Sequence, residues 1–185
     1  MTEKEKMLAG LLYNAEDERL VKERTKSKML CYEYNNSLPN EQDKRNKILK
    51  ELLGEMGDNI VIEPSFKCDY GYNIKLGKNF FANYNLIILD TAPVTFGDNV
   101  FIGPNCSFYP PQHPLDAKTR NTLVEFGKPI TVGNNVWLGG NVTVLGGVSI
   151  GDNCVIGAGS VVTKDIPANS VAVGNPCKVV KVLSE

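Results

Sequence analysis

Hydrophobic positions in the C-terminal half of the chain recur every six residues. Counted in sixes from Val132, the first residue of each hexad is aliphatic: Val132, Leu138, Val144, Ile150, Ile156 and Val162. The fifth residue is small or aliphatic: Val136, Val142, Val148, Cys154, Ser160 and Ile166. A helix has a period of about 3.6 residues and a strand a period of about two, so neither explains this pattern. A chain that turns a corner every six residues does, and the pattern predicts a parallel β-helix.

Turn residues recur in step with these hexads. Gly97-Asp98-Asn99, Gly133-Asn134-Asn135 and Gly151-Asp152-Asn153 occupy equivalent places. Gly and Asn best tolerate the positive φ that sharp corners often need. Three hexads, about eighteen residues, would then complete one triangular coil.

The pattern is less regular upstream and is interrupted once. It begins near residue 60, shifts by two residues after Leu86 and resumes at Phe96: Ile62, Cys68, Ile74, Phe80, Leu86, Phe96 and Ile102. Between Cys106 and Ile130 it gives way to a polar segment with four prolines. A long loop inside a compact repeat is usually functional or disordered. We expect a function for this one.

The first 57 residues have helical rather than hexad spacing. Met7, Leu8, Leu11 and Leu12 would share one side of a short helix, a charged helix is predicted over Asp17 to Tyr34, and another over Glu41 to Met56. The last has an apolar stripe: Ile48, Leu49, Leu52, Leu53 and Met56. We therefore predict a helical cap over residues 1–57, which would cover an unpaired edge of the solenoid. The β-helix domain would span 58–185, with a loop insertion at about 107–129.

Composition excludes several classes of function. A formal net charge of -1 gives no electrostatic argument for binding nucleic acid or an anionic membrane. The N-terminal segment has no apolar run, so we predict neither a signal peptide nor a membrane span. The five cysteines are odd in number, widely spaced and without a CxxC pair. We predict reduced thiols in a cytoplasmic protein, with neither a disulfide framework nor a zinc site.

His113 is the only histidine, and it lies in the interrupting segment. Imidazole is the one side chain whose unperturbed pKa lies near neutrality, so His113 is the first candidate for proton transfer. A solvated loop histidine without a role is the alternative. A single histidine cannot form a three-histidine metal site. Lys178 and Lys181, near the C-terminus, are either ordinary solvated lysines or contacts for the phosphates of a cofactor.

Several segments together resemble the maltose and galactoside O-acetyltransferases of the hexapeptide acyltransferase superfamily. The segment from Cys31 to Asn35 is similar to the family's M-Y-E-F-N, and that from Phe81 to Asn85 to its Y-A-N-F-N. The other matching segments are Leu89 to Val94 (L-D-x-x-P-V), His113 to Asp116 with Glu125 to Ile130 (H-P-x-D … E-Y-G-K-P-I), Ile156 to Pro167, and Gly174 to Pro176. The resemblance covers nearly the whole chain and is closer to the maltose branch.

The resemblance implies a left-handed β-helix and transfer of acetyl from acetyl-CoA to a sugar hydroxyl, usually the 6-position, without a metal. It assigns His113 as the general base, Asn83 to hold the reacting groups, and the backbone N–H of Gly140 to the oxyanion. A neutral imidazole can take the proton of an attacking alcohol, which contributes roughly two to four powers of ten in rate. The implied acceptor-side positions are Asn14, Asp69, Tyr70, Thr91 and Glu125. The implied CoA-side positions are Gly140, Ala158, Thr163, Lys164, Lys178 and Lys181.

The chain departs from the family pattern at a few of these positions. Asn14 stands where the maltose branch often has an acidic residue, and Thr91 where the galactoside branch has one. Lys178 and Lys181 replace arginines, which keeps the charge and loses the bidentate fork. The resemblance also implies a homotrimer with active sites between subunits. Two other interpretations stay open: acetylation of another hydroxyl acceptor, such as a chitooligosaccharide, an amino alcohol or an antibiotic, and a non-catalytic hexapeptide scaffold.

Overall fold

The computed structural model describes residues 1–184, in which three parallel sheets form the sides of a triangular prism. Face 1 consists of β2 (Glu55–Met56), β5 (Ile74–Leu76), β8 (Val94–Phe96), β13 (Ile130–Val132) and β16 (Ser149–Ile150). Face 2 consists of β3 (Val61–Ile62), β6 (Phe81–Ala82), β9 (Phe101–Ile102), β14 (Trp137–Leu138), β17 (Val155–Ile156) and β19 (Ser170–Val173), with antiparallel β20 (Lys178–Val182) beyond. Face 3 consists of β4 (Phe66–Cys68), β7 (Leu86–Ile88), β10 (Ser107–Tyr109), β15 (Thr143–Leu145) and β18 (Val161–Val162). The chain passes from face 1 to face 2 to face 3 and back, and the predicted left-handed parallel β-helix is confirmed.

The prism interior is filled by the residues that the hexads predict. Every first and fifth hexad residue from Val132 to Ile166 is buried, and alternate residues of each strand point outward. Ring centroids of Phe80 and Phe96 lie 5.1 Å apart, and those of Phe96 and Phe108 lie 5.0 Å apart, both edge to face. Such aromatic pairs add about 1 kcal/mol each beyond the area they bury. The predicted register is therefore confirmed.

The corner between faces 1 and 2, here the 1–2 corner, is a column of stacked asparagines with positive φ: Asn59, Asn79, Asn99, Asn135, Asn153 and Asn169. Each Nδ2 donates to the Oδ1 of the next asparagine at 2.8–3.1 Å, from Asn59 to Asn169. Asparagine suits this place because it tolerates the left-handed conformation and has both a donor and an acceptor. The corner prediction for Asn99, Asn135 and Asn153 is confirmed.

The corner between faces 3 and 1, the 3–1 corner, is irregular. Equivalent asparagines are 20 residues apart in the early coils, 18 apart from Asn135 to Asn153 and 16 apart from Asn153 to Asn169. The two extra residues fall at this corner, in segments 69–73 and 89–93. Six residues separate the last inward side chain of β4 or β7 from the first inward side chain of the next strand on face 1. The extra residues explain the shift of two residues in the sequence pattern.

The long insertion leaves the prism at the same 3–1 corner. It contains β11 (Pro111–Gln112), α4 (Ala117–Arg120) and β12 (Val124–Gly127), and β12 pairs antiparallel with both β11 and β1 (Tyr13–Asn14). Residues 107–109, which the sequence prediction includes in the loop, belong to face 3. The insertion is therefore an ordered arm that adds to a strand of the cap.

The cap consists of α1 (Glu3–Leu8), α2 (Glu18–Asn35) and α3 (Gln42–Leu52). Tyr34 Oη donates to the carbonyl of Ile62 at 2.5 Å, and the Asn35 amide both donates to and accepts from the backbone of Phe66 at 2.8 Å. These bonds satisfy backbone groups at the open edge of the first coil.

Two details of the predicted cap are wrong. The third helix ends at Leu52 rather than Met56, because Glu55 and Met56 pair with face 1 as the first solenoid strand. Of the four apolar residues predicted to share one helix side, only Met7 is buried, since α1 ends at Leu8. Leu8, Leu11 and Leu12 are each about half exposed.

Candidate active site

The 3–1 corner gathers most of the acceptor-side residues that the sequence indicates. Asp69, Tyr70 and Thr91 lie in its two early bulges, while His113 follows β11 and Glu125 lies on β12. Asn14 on β1 pairs with Val124 and completes the group. Residues far apart in sequence meet here because the cap strand, the insertion and the bulges share one corner.

The His113 imidazole stands at the outer edge of this group. Its side chain is 54% exposed, its Nδ1 lies 3.5 Å from the carbonyl of Val124, and its Nε2 lies 3.9 Å from Oε2 of Glu125. It borders two open clefts, one of about 540 Å³ beside Glu16 and one of about 770 Å³ beside Tyr109. A proton on Nδ1 would face the carbonyl of Val124, which leaves the lone pair on Nε2, the ring nitrogen nearer to Glu125.

The Glu125 carboxylate accepts a hydrogen bond from a tyrosine of the cap. Tyr13 is buried, pairs with Glu125 across β1 and β12, and donates its hydroxyl to Oε1 of Glu125. Burial, with the hydrogen bond to Glu125, raises the pKa of Tyr13 above its ordinary value, so this hydroxyl remains a donor. Oε2 of Glu125 is the oxygen left facing His113. Sequence reasoning did not assign Tyr13 a role, although the segment Tyr13-Asn14-Ala15 marks its place.

Asp69 and Tyr70 share this corner with an arginine of α2. Burial raises the pKa of Asp69, the charge of Glu125 adds to the rise, and Arg24 and Lys28 oppose it. Arg24 Nη1 donates to the Tyr70 hydroxyl at 2.9 Å and to the carbonyl of Ala15 at 2.6 Å. Arg24 therefore ties the cap to the bulge, and nothing in the sequence pattern singles it out.

A fully buried carboxylate, Asp90, shapes the first bulge. Its Oδ1 accepts the N–H of Asp69 at 3.0 Å and of Tyr70 at 2.8 Å, and its Oδ2 lies 3.3 Å from the N–H of Asn73. Burial raises the pKa of Asp90 to about 7, against the lowering effect of these hydrogen bonds. Asp90 fixes the backbone that presents Asp69. Its only sequence signal is the Leu89 to Val94 motif.

Two implied acceptor contacts are placed less favourably. Thr91 is buried, and within residues 1–184 its Oγ1 has no hydrogen-bond partner; it packs under Gly127. A Cβ on Gly127 would lie 2.8 Å from that of Ala92, so glycine allows the arm to pass this closely. The Asn14 Oδ1 accepts the N–H of Glu16 at 3.0 Å.

The remaining predicted residues lie outside this group, at the 2–3 corner or in the last coils. Asn83, Gly140 and Ala158 stack at the 2–3 corner, at the opposite edge of face 3 from His113. Asn83 Oδ1 there accepts the N–H of Tyr84 at 2.7 Å. Thr163 and Lys164 follow β18 at the 3–1 corner, and Lys178 and Lys181 lie on β20. A single chain therefore does not bring Asn83 to His113.

The described part of the chain holds neither a cluster of metal-ligating side chains nor a membrane-spanning helix. No group of three or more His, Cys, Asp or Glu side chains among residues 1–184 could hold a metal ion. Over the same residues, no helix is both long and apolar enough to cross a membrane.

Comparison with known proteins gives consistent matches. Residues 6–57 match the maltose acetyltransferase hexapeptide capping motif, and residues 129–164 match the bacterial transferase hexapeptide family. Galactoside O-acetyltransferase of Escherichia coli is 45% identical over 98% of this chain and 89% of its own length. A crystal structure of a maltose O-acetyltransferase from Clostridium difficile has a TM-score of 0.99 at 55% identity, covering 100% of this chain and 99% of that one. A galactoside acetyltransferase in complex with coenzyme A has a TM-score of 0.96 at 46% identity, covering 100% and 92%.

The β-helix, its cap and the arm at the 3–1 corner define a hexapeptide-repeat acyltransferase. Within that class, the chain belongs to the maltose and galactoside O-acetyltransferase family, whose enzymes depend on acetyl-CoA. The resemblance noted in the sequence is thus confirmed.

Proposed function

We propose that the protein transfers acetyl from acetyl-CoA to a sugar hydroxyl, the 6-hydroxyl of maltose or glucose, with His113 as general base. The supporting observation is the imidazole itself, half exposed between two clefts with Nε2 3.9 Å from a carboxylate oxygen. An acceptor hydroxyl at Nε2 would give up its proton as its oxygen attacks the thioester carbonyl. A neighbouring sugar hydroxyl could donate to Oε2 of Glu125, which would orient the acceptor.

Attack on the thioester produces an oxyanion, for which we propose the N–H of Gly140 as donor. Within residues 1–184 this N–H donates to no protein acceptor, although the N–H groups of Gly139 and Asn141 beside it are both used. Collapse of the intermediate expels the CoA thiolate, which takes up the proton from His113. Ala158, Thr163, Lys164, Lys178 and Lys181, all exposed, are the proposed contacts along the CoA molecule.

We propose that the working unit is a homotrimer, because His113 and the set of Asn83 and Gly140 lie at opposite edges of face 3. A subunit would then join its His113 to the 2–3 corner of a neighbour. The outward side chains of face 2 support this, since they form an apolar column: Val61, Phe81, Phe101, Trp137, Val155 and Val171. Those of face 1 are polar: Glu55, Lys75, Thr95, Thr131 and Ser149. A cyclic trimer can bury an apolar face against a different face of the next copy.

The trimer proposal is tested by mass in solution. We expect sedimentation of the wild type to give three chains, and Trp137→Glu, which places a charge on the apolar column, to give monomers that have lost activity. A fully active monomer would refute the shared site.

The reaction is tested with wild type and His113→Ala, incubated with acetyl-CoA and maltose, glucose, galactosides or glucosamine oligomers, while a thiol reagent follows free CoA. We expect sugar-dependent release by the wild type and a loss of roughly 10² to 10⁴ in rate for the variant. The melting temperature should hardly change, because the side chain is half exposed. A fully active variant would refute the role of His113.

We further propose that the enzyme works in the cytoplasm, where acetyl-CoA is available.

The same assay separates the other candidate functions. CoA binding without release for any sugar would indicate another hydroxyl acceptor, such as an amino alcohol or antibiotic. Absence of CoA binding would indicate a scaffold. The partnered carboxylate beside His113 favours catalysis, since a scaffold needs no such pair.

A further inference from the structure

Two of the five cysteines touch each other where the cap meets the solenoid. Cys31 on α2 and Cys68 on β4 have their Sγ atoms 3.7 Å apart, and Ser27 Oγ lies 3.3 Å from Cys68 Sγ. The other cysteines lie apart from this pair: Cys106 and Cys154 donate to carbonyls of neighbouring coils at 3.1 Å. The pair is therefore a vicinal dithiol across the contact between two structural units.

The dithiol is buried but has a route to solvent. Each cysteine is 5% exposed, and both line an open cleft of about 480 Å³ together with Lys28, Lys67 and Asp69. This cleft shares Ile87 and Leu89 with the larger cleft beside His113. A molecule as small as hydrogen peroxide can reach the sulfur atoms from that side.

The two thiols are not equivalent. The hydrogen bond with Cys68 lowers the pKa of Cys31, whereas the pKa of Cys68 is raised by the same bond and by burial. These directions fit a Cys68 S–H that donates to the Cys31 sulfur. Cys31 is then the thiol that more readily becomes the attacking thiolate.

We propose that Cys31 and Cys68 form a site of reversible oxidation, at which a peroxide closes a disulfide between α2 and β4 and thereby weakens acceptor binding. The Cys31 thiolate attacks one peroxide oxygen, the O–O bond breaks, and the departing hydroxide takes a proton to become water. Cys68 then attacks the sulfenic sulfur, the S–O bond breaks, and a second water leaves with the Cys68 proton. Two thiols are oxidised by two electrons, and one peroxide is reduced to two waters.

The link to acceptor binding follows from chain connectivity and rests on the proposed function. A disulfide needs its sulfurs about 2.05 Å apart, so α2 and β4 must approach each other. Asp69 directly follows Cys68, and its backbone N–H is held by Asp90. Movement of Cys68 therefore strains the bulge that presents Asp69. Of the proposed CoA-side positions, Gly140 and Ala158 lie at the other edge of face 3, and Thr163 and Lys164 follow β18, at the opposite end of that face from β4.

The covalent step is tested without reference to activity. Purified full-length protein is treated with one equivalent of hydrogen peroxide, and its intact mass and unreduced peptide map are measured. We expect a loss of two hydrogen atoms, a Cys31–Cys68 cross-linked peptide, and reversal by dithiothreitol. Cys31→Ser and Cys31→Met should form no such bond, whereas Cys177→Ser, the matched control, should behave as wild type. Oxidation that leaves both thiols unlinked, or links other cysteines, would overturn the site.

The effect on binding is then measured on the oxidised and reduced forms. We expect the KM for the acceptor to rise by about three- to tenfold on oxidation with the KM for acetyl-CoA unchanged, since small displacements of positioning groups are costly. An unchanged acceptor KM in fully cross-linked protein would overturn the link to Asp69. If no acceptor is turned over at all, the peptide map still decides the disulfide, so the two proposals fail separately.

Discussion

The 1–2 corner and the 3–1 corner both turn the chain from one face to the next, yet they are built differently. The 1–2 corner repeats one asparagine in six coils, each bonded to the next at 2.8–3.1 Å. The 3–1 corner holds two bulges, a buried carboxylate and the arm that carries His113. Repetition stabilises the prism, while the departures from repetition bring together the side chains at the 3–1 corner that can bind an acceptor or transfer a proton.

The comparison also shows how a solenoid can carry an irregular corner beside regular ones. Bulges at all three corners would interrupt the backbone ladders of every face, because each coil pairs with its neighbours along the whole turn. Because the 1–2 corner is kept as a column of identical residues, the 3–1 corner can vary while the strands of the three faces keep their pairing register. Changes at the two corners should therefore have separable effects.

The largest expected effect of this kind is on stability, from Gly133→Ala in the 1–2 corner. A Cβ there would lie 2.8 Å from the backbone nitrogen of Asp152 and 3.0 Å from the carbonyl carbon of Gly151, so two coils must separate. We expect a loss of about 3 kcal/mol in the free energy of unfolding, measured with urea. The variant for comparison is Gly147→Ala at the 3–1 corner, where the new Cβ meets only the flexible Lys128 side chain at 3.2 Å, so that the positive φ of +90° alone should cost about 1–2 kcal/mol. Equal losses at both corners would contradict the comparison.

A smaller loss is expected from Asn135→Ala in the asparagine column. Alanine at a φ of 55° costs about 1–2 kcal/mol, and the ladder bonds at 3.0 and 3.1 Å are lost as well. We expect about 2 kcal/mol less stability, with kcat and both KM values unchanged. Asn135→Gly removes the same bonds without the strain and should lose less. A change in KM would show that the two corners are coupled.

The two corners also differ in how far the sequence predicted them. Periodicity and turn chemistry gave Asn99, Asn135 and Asn153 their correct conformations, because those features are local and repeat. At the 3–1 corner the motifs indicated His113 and Glu125, but Tyr13, Arg24 and Asp90 were missed. Their contacts join segments far apart in sequence, such as Tyr13 and Glu125, separated by 112 residues.

Two predicted element boundaries were wrong for a related reason. Helical spacing runs on from Ile48 through Met56, and only pairing with a strand some twenty residues later ends the helix at Leu52. Similarly, residues 107–109 look like loop until β15 is in place beside them. In both cases tertiary pairing overrides a local pattern that remains correct over most of its length.

Asp90→Asn tests how the 3–1 corner depends on a buried carboxylate. Because burial raises the pKa of Asp90 to about 7, the folded chain holds this proton more tightly than the unfolded chain, whose carboxyl titrates near pH 4. The contribution of Asp90 to stability is therefore largest below about pH 4 and falls as the pH rises toward 7. We expect Asp90→Asn to flatten this part of the stability–pH curve.

The same variant should disturb acceptor binding. Its amide nitrogen would face the N–H of Asn73, and the bulge that presents Asp69 would shift. We expect acceptor binding to weaken by about 1.5 kcal/mol, which would appear as a higher acceptor KM, while the KM for acetyl-CoA stays unchanged. An unaltered pH curve together with an unaltered acceptor KM would show that Asp90 does not position the bulge.

The smallest effect is expected from Tyr13→Phe, which removes one hydroxyl from the cap. The Oε1 of Glu125 then loses its donor, and Oε2 is no longer fixed opposite His113. We expect kcat/KM for the acceptor to fall about fivefold, corresponding to about 1 kcal/mol for one hydrogen bond. Tyr34→Phe is the matched control, because its hydroxyl bonds the carbonyl of Ile62 at 2.5 Å, far from the arm. It should lower the melting temperature and leave kcat/KM intact, whereas equal kinetic losses would place the effect in the cap as a whole.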